Sequence, residues 1–229
     1  MSRAGVEWAT FDCYGTLVDW EGGIAGVMRS LLPEPHAGLG DHEIATRYIA
    51  AEAQIESGAY ASYRTVLARS CRRVCESLGV ALEPGRELAL PDSVARWQPF
   101  PETAEALRAL RALGVKLAVL SNVDRDLIAA SIARIGVEPD LLVTAEDAKS
   151  YKPAPGHWQT FEAASGAPAS VTVHVGASIY HDMIPAAARG YRTVFINRHA
   201  EPIVGCAPIA ALPDLRELPR VVGELLDRA

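Results

Sequence analysis

Residues 6–17 read VEWATFDCYGTL, a short apolar run that ends in a polar loop. The run 6–11 predicts a buried β-strand, because four to eight apolar residues bounded by turn residues are typical of such strands. Asp12 and Thr16 then stand at the carboxyl end of this strand. From about residue 21 to residue 97 the pattern is helical, which predicts that a helical block follows the first strand directly.

The helical block carries its own start and stop signals. Asp41 is the predicted N-cap of one helix, because short polar side chains favour that position. Ser62 is the predicted N-cap of a second helix that runs through Leu78 and ends at Gly79. After Pro99 the sequence changes to a different pattern.

Helical and strand-like segments alternate after the block. Predicted helices cover 102–113, 124–135, 155–165 and 182–189, and predicted strands cover 115–120, 141–144, 171–176 and 192–196. Such alternation indicates a parallel sheet with helices on both faces. The predicted fold is therefore α/β, with a doubly wound, Rossmann-like parallel-sheet core at 1–19 and 98–229 and an inserted helical cap at 20–97.

The composition describes a globular chain and argues against nucleic-acid or membrane binding. Its 229 residues include 22 basic and 28 acidic side chains, and a net charge of −6 does not suit non-specific binding to nucleic acid. The apolar runs are far shorter than the ~20 residues that a bilayer span needs. Residues 1–10 lack the apolar segment of a secretory signal. The four cysteines lack metal-ligand spacing, so we expect reduced thiols and a cytoplasmic location.

Polar residues follow the predicted strands at their carboxyl ends. They are Asp12, Thr16, Ser121, Asn122, Lys152, Ser178, Tyr180, His181 and Asp182. Ligands of open α/β sheets bind outside the carboxyl ends of the strands. We therefore expect these side chains to converge on one edge of the sheet.

The convergent residue types suit nucleophilic catalysis. A carboxylate such as Asp12 can attack an electrophile and form a covalent ester. Lys152 would keep that carboxylate ionised by charge pairing, and neighbouring hydroxyl groups would orient its oxygens. A second carboxylate, Asp182, can then activate water against the ester.

These residues resemble, in order, the four motifs of the haloacid dehalogenase superfamily. Residues 11–17 (FDCYGTL) match the first motif, Ser121-Asn122 the second, Lys152-Pro153 the third and Asp182 the fourth. The resemblance covers nearly the whole chain and implies that residues 20–97 form the helical cap.

Two positions distinguish the chain from the phosphatases of that superfamily. Phosphatases carry a second Asp two residues after the first, where this chain has Tyr14, and an acidic residue after the motif-four Gly, where it has Ala177. Both departures disfavour a site for Mg²⁺, which prefers octahedral oxygen ligands. The chain is similar instead to the L-2-haloacid dehalogenase branch, whose first motif is Asp-x-Tyr-Gly-Thr. That resemblance implies a hydrolase that needs no metal and no cofactor.

The resemblance to this branch also implies catalytic roles. Asp12 would displace a leaving group from an sp³ carbon of a small carboxylic acid, and water would then hydrolyse the resulting ester. Thr16, Ser121 and Lys152 would position and ionise Asp12. Asp182 would activate the water.

The same resemblance implies a set of substrate-binding residues. They are Tyr14, Asn122, Arg47, His181 and Trp158. Tyr14 and Asn122 would lie near the leaving group, and Trp158 stands where the branch has a Tyr. Arg47 is the candidate for the cap cation that holds the substrate, with Arg64 as its competitor. Homodimers are common in the branch, so a homodimer is expected on that ground alone.

The fourth motif does not identify the leaving group of the substrate. The branch carries Ser-x-Asn-x-Trp-Asp, whereas residues 177–182 read ASIYHD. This pattern is closer to relatives that open strained small carboxylates, notably L-azetidine-2-carboxylate. Ring opening needs a proton donor, a role that His181 could fill. A magnesium-dependent small-molecule phosphatase and a non-catalytic scaffold are the further alternatives, and His174 is expected to be a satisfied core histidine.

Overall fold

A six-stranded parallel β-sheet organises the first of two compact units. The computed structural model describes residues 5–34 and 36–227. The strands are β1 (Trp8–Phe11), β2 (Lys116–Ser121), β3 (Leu141–Thr144), β4 (Thr172–Gly176), β5 (Arg192–Ile196) and β6 (Ala210–Leu212). Their order is β3-β2-β1-β4-β5-β6, and each neighbouring pair is parallel. The predicted doubly wound α/β fold is confirmed.

The described helices are distributed over the two compact units. In chain order they are α1 (Trp20–Leu31), α2 (Asp41–Glu56), α3 (Tyr63–Ser77), α4 (Thr103–Ala112), α5 (Arg125–Ile135), α6 (Ala145–Ala148), α7 (Gly156–Ser165), α8 (Ile184–Ala188) and α9 (Leu218–Leu226). Short 3₁₀ turns lie at His36–Gly38, Arg86–Ala89, Pro91–Arg96 and Ala169–Val171, and a π-helical turn lies at Ile179–Met183. Within the described ranges, no helix is long and apolar enough to cross a bilayer.

The strand order reverses at β1, which places β1 beside both β2 and β4. All four residues of β1 and all five of β4 are buried. This continuous burial fits strands that are covered on both faces rather than on one. The carboxyl ends of β1, β2 and β4 consequently lie next to one another, at the point of a doubly wound sheet where ligands bind.

An aromatic cluster packs against one part of this sheet. The rings of Trp8 on β1 and Phe161 on α7 meet edge to face with centroids 5.4 Å apart. Trp158 and Tyr191 belong to the same buried cluster. Edge-to-face contacts add to the free energy that burial of such large side chains already supplies, so α7 is held firmly on the sheet.

The helix starts follow the sequence signals with one exception. Ser62 caps α3 as predicted, and its side chain accepts a hydrogen bond from the Thr65 N–H. Asp41, the predicted N-cap, is instead the first residue of α2, and Gly40 occupies the cap position. The Asp41 carboxylate is paired with Arg29, so it is not available to cap its own helix.

Four elements differ from the sequence prediction. The strand β6 and the helices α6 and α9 have no predicted counterpart. A strand of three residues reading Ala-Ala-Leu is too short to show a periodic pattern. The predicted helix at 182–189 begins earlier, in the π-helical turn at Ile179–Met183, and continues as α8.

The second compact unit is helical. It contains Asp19–Gln98 and also Val123–Arg134, which the sequence pattern assigns to the core. Hydrogen bonds explain the difference, because Arg134 donates to the Ala95 carbonyl oxygen at 2.9 and 3.2 Å. The first unit contains the described parts of Met1–Val18, Pro99–Asn122 and Ile135–Ala229. Residues 1–4 and 228–229 of the predicted core lie outside the described residues.

The first turn of α3 is capped from two sides within the helical unit. Asp124 accepts hydrogen bonds from the backbone N–H groups of Tyr63 and Arg64, at 2.9 and 2.8 Å. Ser62 accepts the third, from Thr65 N at 3.3 Å. The first N–H groups of a helix lack intrahelical partners, and a negative charge there also complements the helix dipole. Asp124 is 6% exposed, so its two hydrogen bonds are shielded from water.

We predict that Asp124→Ala destabilises the helical unit by about 1–2 kcal/mol, the usual cost of removing a helix cap. Urea unfolding followed by circular dichroism measures the change. Asp126→Ala is the matched control, because Asp126 lies on the same segment with its side chain 63% exposed and paired with Arg64. An exposed ion pair contributes about 1 kcal/mol or less. Equal losses in the two variants would contradict the capping role.

Candidate active site

The ammonium group of Lys152 is shared between two carboxylates. Its Nζ donates hydrogen bonds to Asp12 Oδ1 at 2.9 Å and to Asp182 Oδ1 at 2.6 Å. The side chains of Lys152 and Asp182 are each 1% exposed, whereas that of Asp12 is 13% exposed. Asp12 is therefore the more accessible of the two carboxylates.

The sheet topology brings these three side chains together. Asp12 directly follows β1, and its backbone N–H donates to the Val175 carbonyl oxygen of β4 at 2.9 Å. Asp182 lies in the π-helical turn that follows β4, and Lys152 lies in the loop between α6 and α7. The predicted convergence of these residues at one edge of the sheet is what the structure shows.

Burial and mutual charge set the protonation of the three groups. Burial raises the pKa of Asp12 more than Lys152 lowers it, and the charge of Asp182 adds to the rise. Burial alone would raise the pKa of Asp182, but Lys152 and His174 bring it well below its usual range. Burial opposes the charge on Lys152, yet the two carboxylates raise its pKa above the ordinary value. Lys152 therefore stays protonated, and Asp12 takes up a proton before Asp182 as the pH falls.

The loop after β1 orients Asp12. Thr16 Oγ1 donates to Asp12 Oδ2 at 3.1 Å, so the two oxygens of the carboxylate have different partners. Gly15 has a φ of 94°, in the left-handed region that favours glycine. Arg198 donates to the carbonyl oxygens of Gly15 and Thr16 at 3.3 and 3.0 Å. The Arg198 Nη2 also lies 2.9 Å from Glu102 Oε1 as an ion pair, although the angle is not that of a hydrogen bond.

Asn122 has a role that the sequence did not indicate. Its Oδ1 accepts a hydrogen bond from Lys152 N at 2.7 Å, and its Nδ2 donates to the Lys152 carbonyl oxygen at 3.1 Å. Both polar atoms of the amide are thus used on the backbone of one residue. Asn122 thus fixes the position of the Lys152 backbone, and its place near the leaving group stays a prediction.

A buried histidine forms a hydrogen bond with the backbone of Ser121. The His157 ring donates from Nε2 to the Ser121 carbonyl oxygen at 3.0 Å. Burial, with the nearby Lys152 charge, lowers the pKa of His157 to about 4, so the ring is neutral near pH 7. The hydroxyl of Ser121 is buried and has no hydrogen-bond partner among the described residues. A buried hydroxyl without a partner, at the carboxyl end of β2, suits the orienting role predicted for Ser121.

Asp182 is packed too tightly against the backbone of β4 for any side chain at position 176. A Cβ on Gly176 would lie 2.7 Å from the Cβ, Cγ and Oδ2 atoms of Asp182. Real Cβ contacts are never that short, so the absence of a side chain at Gly176 is a condition for this placement. The Asp182 Oδ2 atom is buried and has no partner among the described side chains, whereas Oδ1 accepts from Lys152.

His174 contacts Asp182, which the sequence did not predict. Its Nδ1 lies 2.8 Å from Thr10 Oγ1, so it is a satisfied core histidine, but its Nε2 also lies 3.4 Å from Asp182 Oδ1. The alternation of side chains along β4 could have indicated this contact. His174 lies two residues before Gly176 and faces the same side of the sheet.

Trp158 lies behind the site rather than in it. It is fully buried, and its ring meets that of His174 edge to face with centroids 5.5 Å apart. Because none of its surface is exposed, the expectation that Trp158 contacts substrate is corrected. Trp158 lies six residues after Lys152, on α7. The sequence spacing gives this position but does not show that the side chain points into the aromatic cluster.

His181 and Tyr14 are both partly buried in the same unit. The His181 Nδ1 lies 3.2 Å from Ser178 Oγ, and burial lowers the pKa of the ring despite the opposing charge of Asp182. Tyr14 lies in the loop after β1, and its backbone forms an isolated parallel β-bridge with that of Val18. Their roles in substrate binding stay predictions.

The two candidate arginines lie in the helical unit, and each is bonded to acidic side chains. Arg47 donates to Glu43 on its own helix at 3.0 Å with its side chain 40% exposed. Arg64 donates to Asp92 and to Asp126, both at 2.9 Å. Each guanidinium would therefore have to exchange a carboxylate of the chain for one of the substrate. Their role as the substrate cation stays a prediction.

Comparison with known proteins identifies the family. The sequence profile of the haloacid dehalogenase-like hydrolases matches residues 6–190. The chain belongs to this family. It is consequently a hydrolase, and Asp12, Ser121, Lys152 and Asp182 all lie within the matched range.

Relatives of this haloacid dehalogenase-like hydrolase include named dehalogenases. It is 31% identical to haloacetate dehalogenase H-2 of Moraxella sp. (strain B) over 62% of this chain and 64% of that protein. It is 25% identical to an (S)-2-haloacid dehalogenase of Pseudomonas fluorescens over 84% and 85% of the two chains. The match thus spans less than two thirds of the Moraxella protein.

Solved structures agree on the fold. The crystal structure of the L-2-haloacid dehalogenase RSc1362 superimposes with a TM-score of 0.85, covering 96% of this chain and 100% of that one at 24% identity. A likeness at this identity shows the common fold, and the activity has to be argued from the site.

We predict that Lys152→Met makes the stability of the hydrolase depend on pH. Two buried carboxylates would lose their shared counter-charge, so their pKa values would rise and the folded state would bind more protons than the unfolded state. The stability deficit, about 3–5 kcal/mol near pH 8, should therefore shrink as the pH falls toward 5.

Urea unfolding at several pH values measures this dependence. Lys116→Met is the control, because Lys116 is an exposed lysine at the start of β2. A deficit of Lys152→Met that is constant from pH 8 to pH 5 would show that the loss comes from packing and not from charge.

Proposed function

We propose that this hydrolase displaces a leaving group from an sp³ carbon of a small carboxylic acid, with Asp12 as nucleophile, as a 2-haloacid dehalogenase does. The observation that carries the proposal is the shared ammonium of Lys152, which bonds Asp12 at 2.9 Å and Asp182 at 2.6 Å. One cation thereby keeps both an accessible nucleophile and a buried second carboxylate ionised. The named relatives add support, since they are haloacid dehalogenases.

In the first step an Asp12 oxygen attacks the carbon that carries the halogen. A new C–O bond forms as the C–X bond breaks, and the halogen departs with the electron pair as halide. Lys152 and Thr16 hold the Asp12 carboxylate at fixed distances, so little reorganisation is needed for the attack. The Asp12 side chain becomes an uncharged ester.

In the second step water attacks the Asp12 carboxyl carbon, and Asp182 accepts the proton. The tetrahedral intermediate then breaks its bond to the substrate oxygen, which takes up the proton and leaves as a hydroxy acid. Asp12 releases the second proton of the water to solvent, regains its charge and now carries one oxygen from solvent. The sum of the two steps is halide, a proton and a hydroxy acid from a haloacid and water.

The proposal includes independence from divalent metal ions. The side chain two residues after Asp12 is the phenol of Tyr14 and the residue after Gly176 is Ala177, so neither position offers the carboxylate of a magnesium site. Lys152 contributes from the chain itself the positive charge between the two carboxylates. Phosphoryl transfer would have to neutralise more negative charge than one ammonium can.

A second candidate is ring opening of a strained small carboxylate such as azetidine-2-carboxylate or an epoxy acid. The departing nitrogen or oxygen needs a proton, which a halide does not. His181 is partly buried, precedes Asp182 and has its Nδ1 on Ser178 Oγ. Its Nε2 is the atom that could donate to the departing group, and the chemistry at Asp12 is otherwise unchanged.

We predict that Asp182→Asn accumulates the Asp12 ester, because the amide cannot accept the proton from water. The variant is offered (S)-2-chloropropionate, chloroacetate, azetidine-2-carboxylate and an epoxy acid in separate samples. Mass spectrometry of the intact protein and of the peptide containing Asp12 should show the adduct with one of them. An adduct that has lost HX shows displacement of halide, whereas an adduct with the mass of the whole acid shows ring opening.

The matched control is Asp12→Asn, which should form no ester and should lose turnover by on the order of 10⁴-fold. A single turnover of the unaltered enzyme in ¹⁸O-labelled water should place the label in the Asp12 carboxylate. An unlabelled Asp12, together with a labelled product, would mean direct attack by water and would reject the covalent route.

We predict that removal of metal ions leaves turnover unchanged, because the structure supplies the required positive charge through Lys152. The enzyme is treated with EDTA, dialysed and assayed for halide or ring-opened product with and without added Mg²⁺. The same samples are assayed for hydrolysis of p-nitrophenyl phosphate. Loss of turnover that Mg²⁺ restores, or magnesium-dependent phosphatase activity of comparable rate, would favour the phosphatase alternative.

A further inference from the structure

A buried row of polar side chains runs across the sheet behind the second carboxylate. Thr10 on β1 and His174 on β4 are paired in the parallel register. The His174 ring, which is fully buried, has Nδ1 at 2.8 Å from Thr10 Oγ1 and Nε2 at 3.4 Å from Asp182 Oδ1. Both ring nitrogens therefore have a polar neighbour inside the protein.

The partners of the two ring nitrogens indicate where the ring proton lies. Nε2 faces the Asp182 carboxylate, which when ionised can only accept hydrogen bonds, so a hydrogen bond across this contact requires the proton on Nε2. In that neutral ring Nδ1 is the acceptor, and the Thr10 hydroxyl at 2.8 Å donates to it. In the other neutral tautomer Nδ1 would donate to Thr10, whose hydroxyl would turn to the Val173 carbonyl oxygen at 3.4 Å, and the unprotonated Nε2 would face the carboxylate.

We infer that His174 is a positioning residue for the hydrolytic step, which aligns Asp182 by donating from Nε2 to its Oδ1. The inference rests on the proposed function, in which Asp182 accepts the proton from water. His174 would touch neither the substrate nor Asp12. Its effect would pass through the orientation of one carboxylate.

The distribution of partners on Asp182 supports this role. Lys152 and His174 both approach Oδ1, and no described side chain bonds the buried Oδ2. The close contact with Gly176 limits movement of the carboxylate on its other side. With one oxygen held by two donors, Oδ2 keeps a fixed direction in which to accept a proton, and that proton comes from the attacking water in the step described above.

The role should become most important after the ester has formed. In the resting enzyme Lys152 is shared by two charged carboxylates, but an Asp12 ester is uncharged. Lys152 is then free to follow Asp182, while the His174 contact still ties Oδ1 of that carboxylate to the sheet. Loss of His174 should therefore slow ester hydrolysis and leave ester formation nearly unchanged.

The first test uses the resting protein and no substrate. Two-dimensional ¹H–¹⁵N NMR of the histidine ring nitrogens distinguishes the two neutral tautomers. We expect the His174 signal to show protonation at Nε2, and we expect Thr10→Val to change it because the donor to Nδ1 is gone. A neutral His174 protonated at Nδ1 overturns the inference, since Nε2 would then have no proton to donate.

The second test separates the two half-reactions by rapid quench with (S)-2-chloropropionate, or with whichever acid of the panel forms the ester. His174→Leu should form the Asp12 ester at nearly the unaltered rate and hydrolyse it about 10- to 100-fold more slowly, as is usual for loss of a residue that orients a reactive ligand. His174→Gln should recover most of the rate, because its amide N–H can reach the same oxygen. Thr193→Val is the control. Thr193 lies opposite His174 on β5, but the two ring nitrogens of His174 face Thr10 and Asp182 instead.

The outcomes distinguish failure of the inference from failure of the proposed function. If unaltered enzyme forms the ester and His174→Leu hydrolyses it at the unaltered rate, the positioning role is wrong and the proposed function stands. If both half-reactions slow together in His174→Leu and His174→Gln does not restore them, the residue is only structural and the inference is again wrong. If no acid of the panel gives an Asp12 ester in any variant, the proposed function is wrong. The tautomer measurement then decides by itself whether His174 donates to Asp182.

Discussion

The ammonium of Lys152 is the charge on which this site depends. Two carboxylates lie within hydrogen-bond distance of it, and the ion pair with Asp182 is almost entirely shielded from water. Burying two carboxylates near each other without a cation is strongly unfavourable, and the pair would be held only by taking up a proton. Lys152 makes it possible for both to be charged at the same time. The nucleophile and the base of the proposed mechanism can therefore occupy one small space.

Several residues hold this cation and its partners in place through hydrogen bonds to the backbone. Asn122 binds the backbone of Lys152 from both sides, and His157 holds the carbonyl of Ser121. Arg198 binds the loop that carries Asp12 through its carbonyl groups, and its guanidinium lies 3.5 Å from the centre of the Phe100 ring. The hydrogen bonds are made to backbone atoms, so they fix the position of the main chain at Asp12 and Lys152. Precision of this kind is what pre-organised sites require.

The parts of the site that could be predicted from sequence are those set by strand position. Asp12 ends a short apolar run, Ser121 ends another, and the alternation of strands and helices implies that such ends meet. Side-chain direction could not be predicted in the same way. Trp158 has the expected position on α7 but turns into the aromatic cluster. Asn122 has the expected position after β2 but uses its amide on Lys152. Contacts between distant segments, such as that of Arg198 with the loop after β1, leave no periodic signal in the sequence at all.

The π-helical turn at Ile179–Met183 has a consequence for how the fold can vary. The N–H groups of Asp182 and Met183 both donate to the Ser178 carbonyl oxygen, at 3.1 and 3.0 Å, so the turn holds one residue more than a regular α-helical turn. One residue changes the rotational phase of a helix by about 100°. Shortening this turn to ordinary helical pitch would rotate the Asp182 carboxylate away from Lys152 while every residue type in the motif stayed the same. Spacing in this turn is therefore under as strict a constraint as amino-acid identity, and a deletion here would disable the site as surely as a substitution.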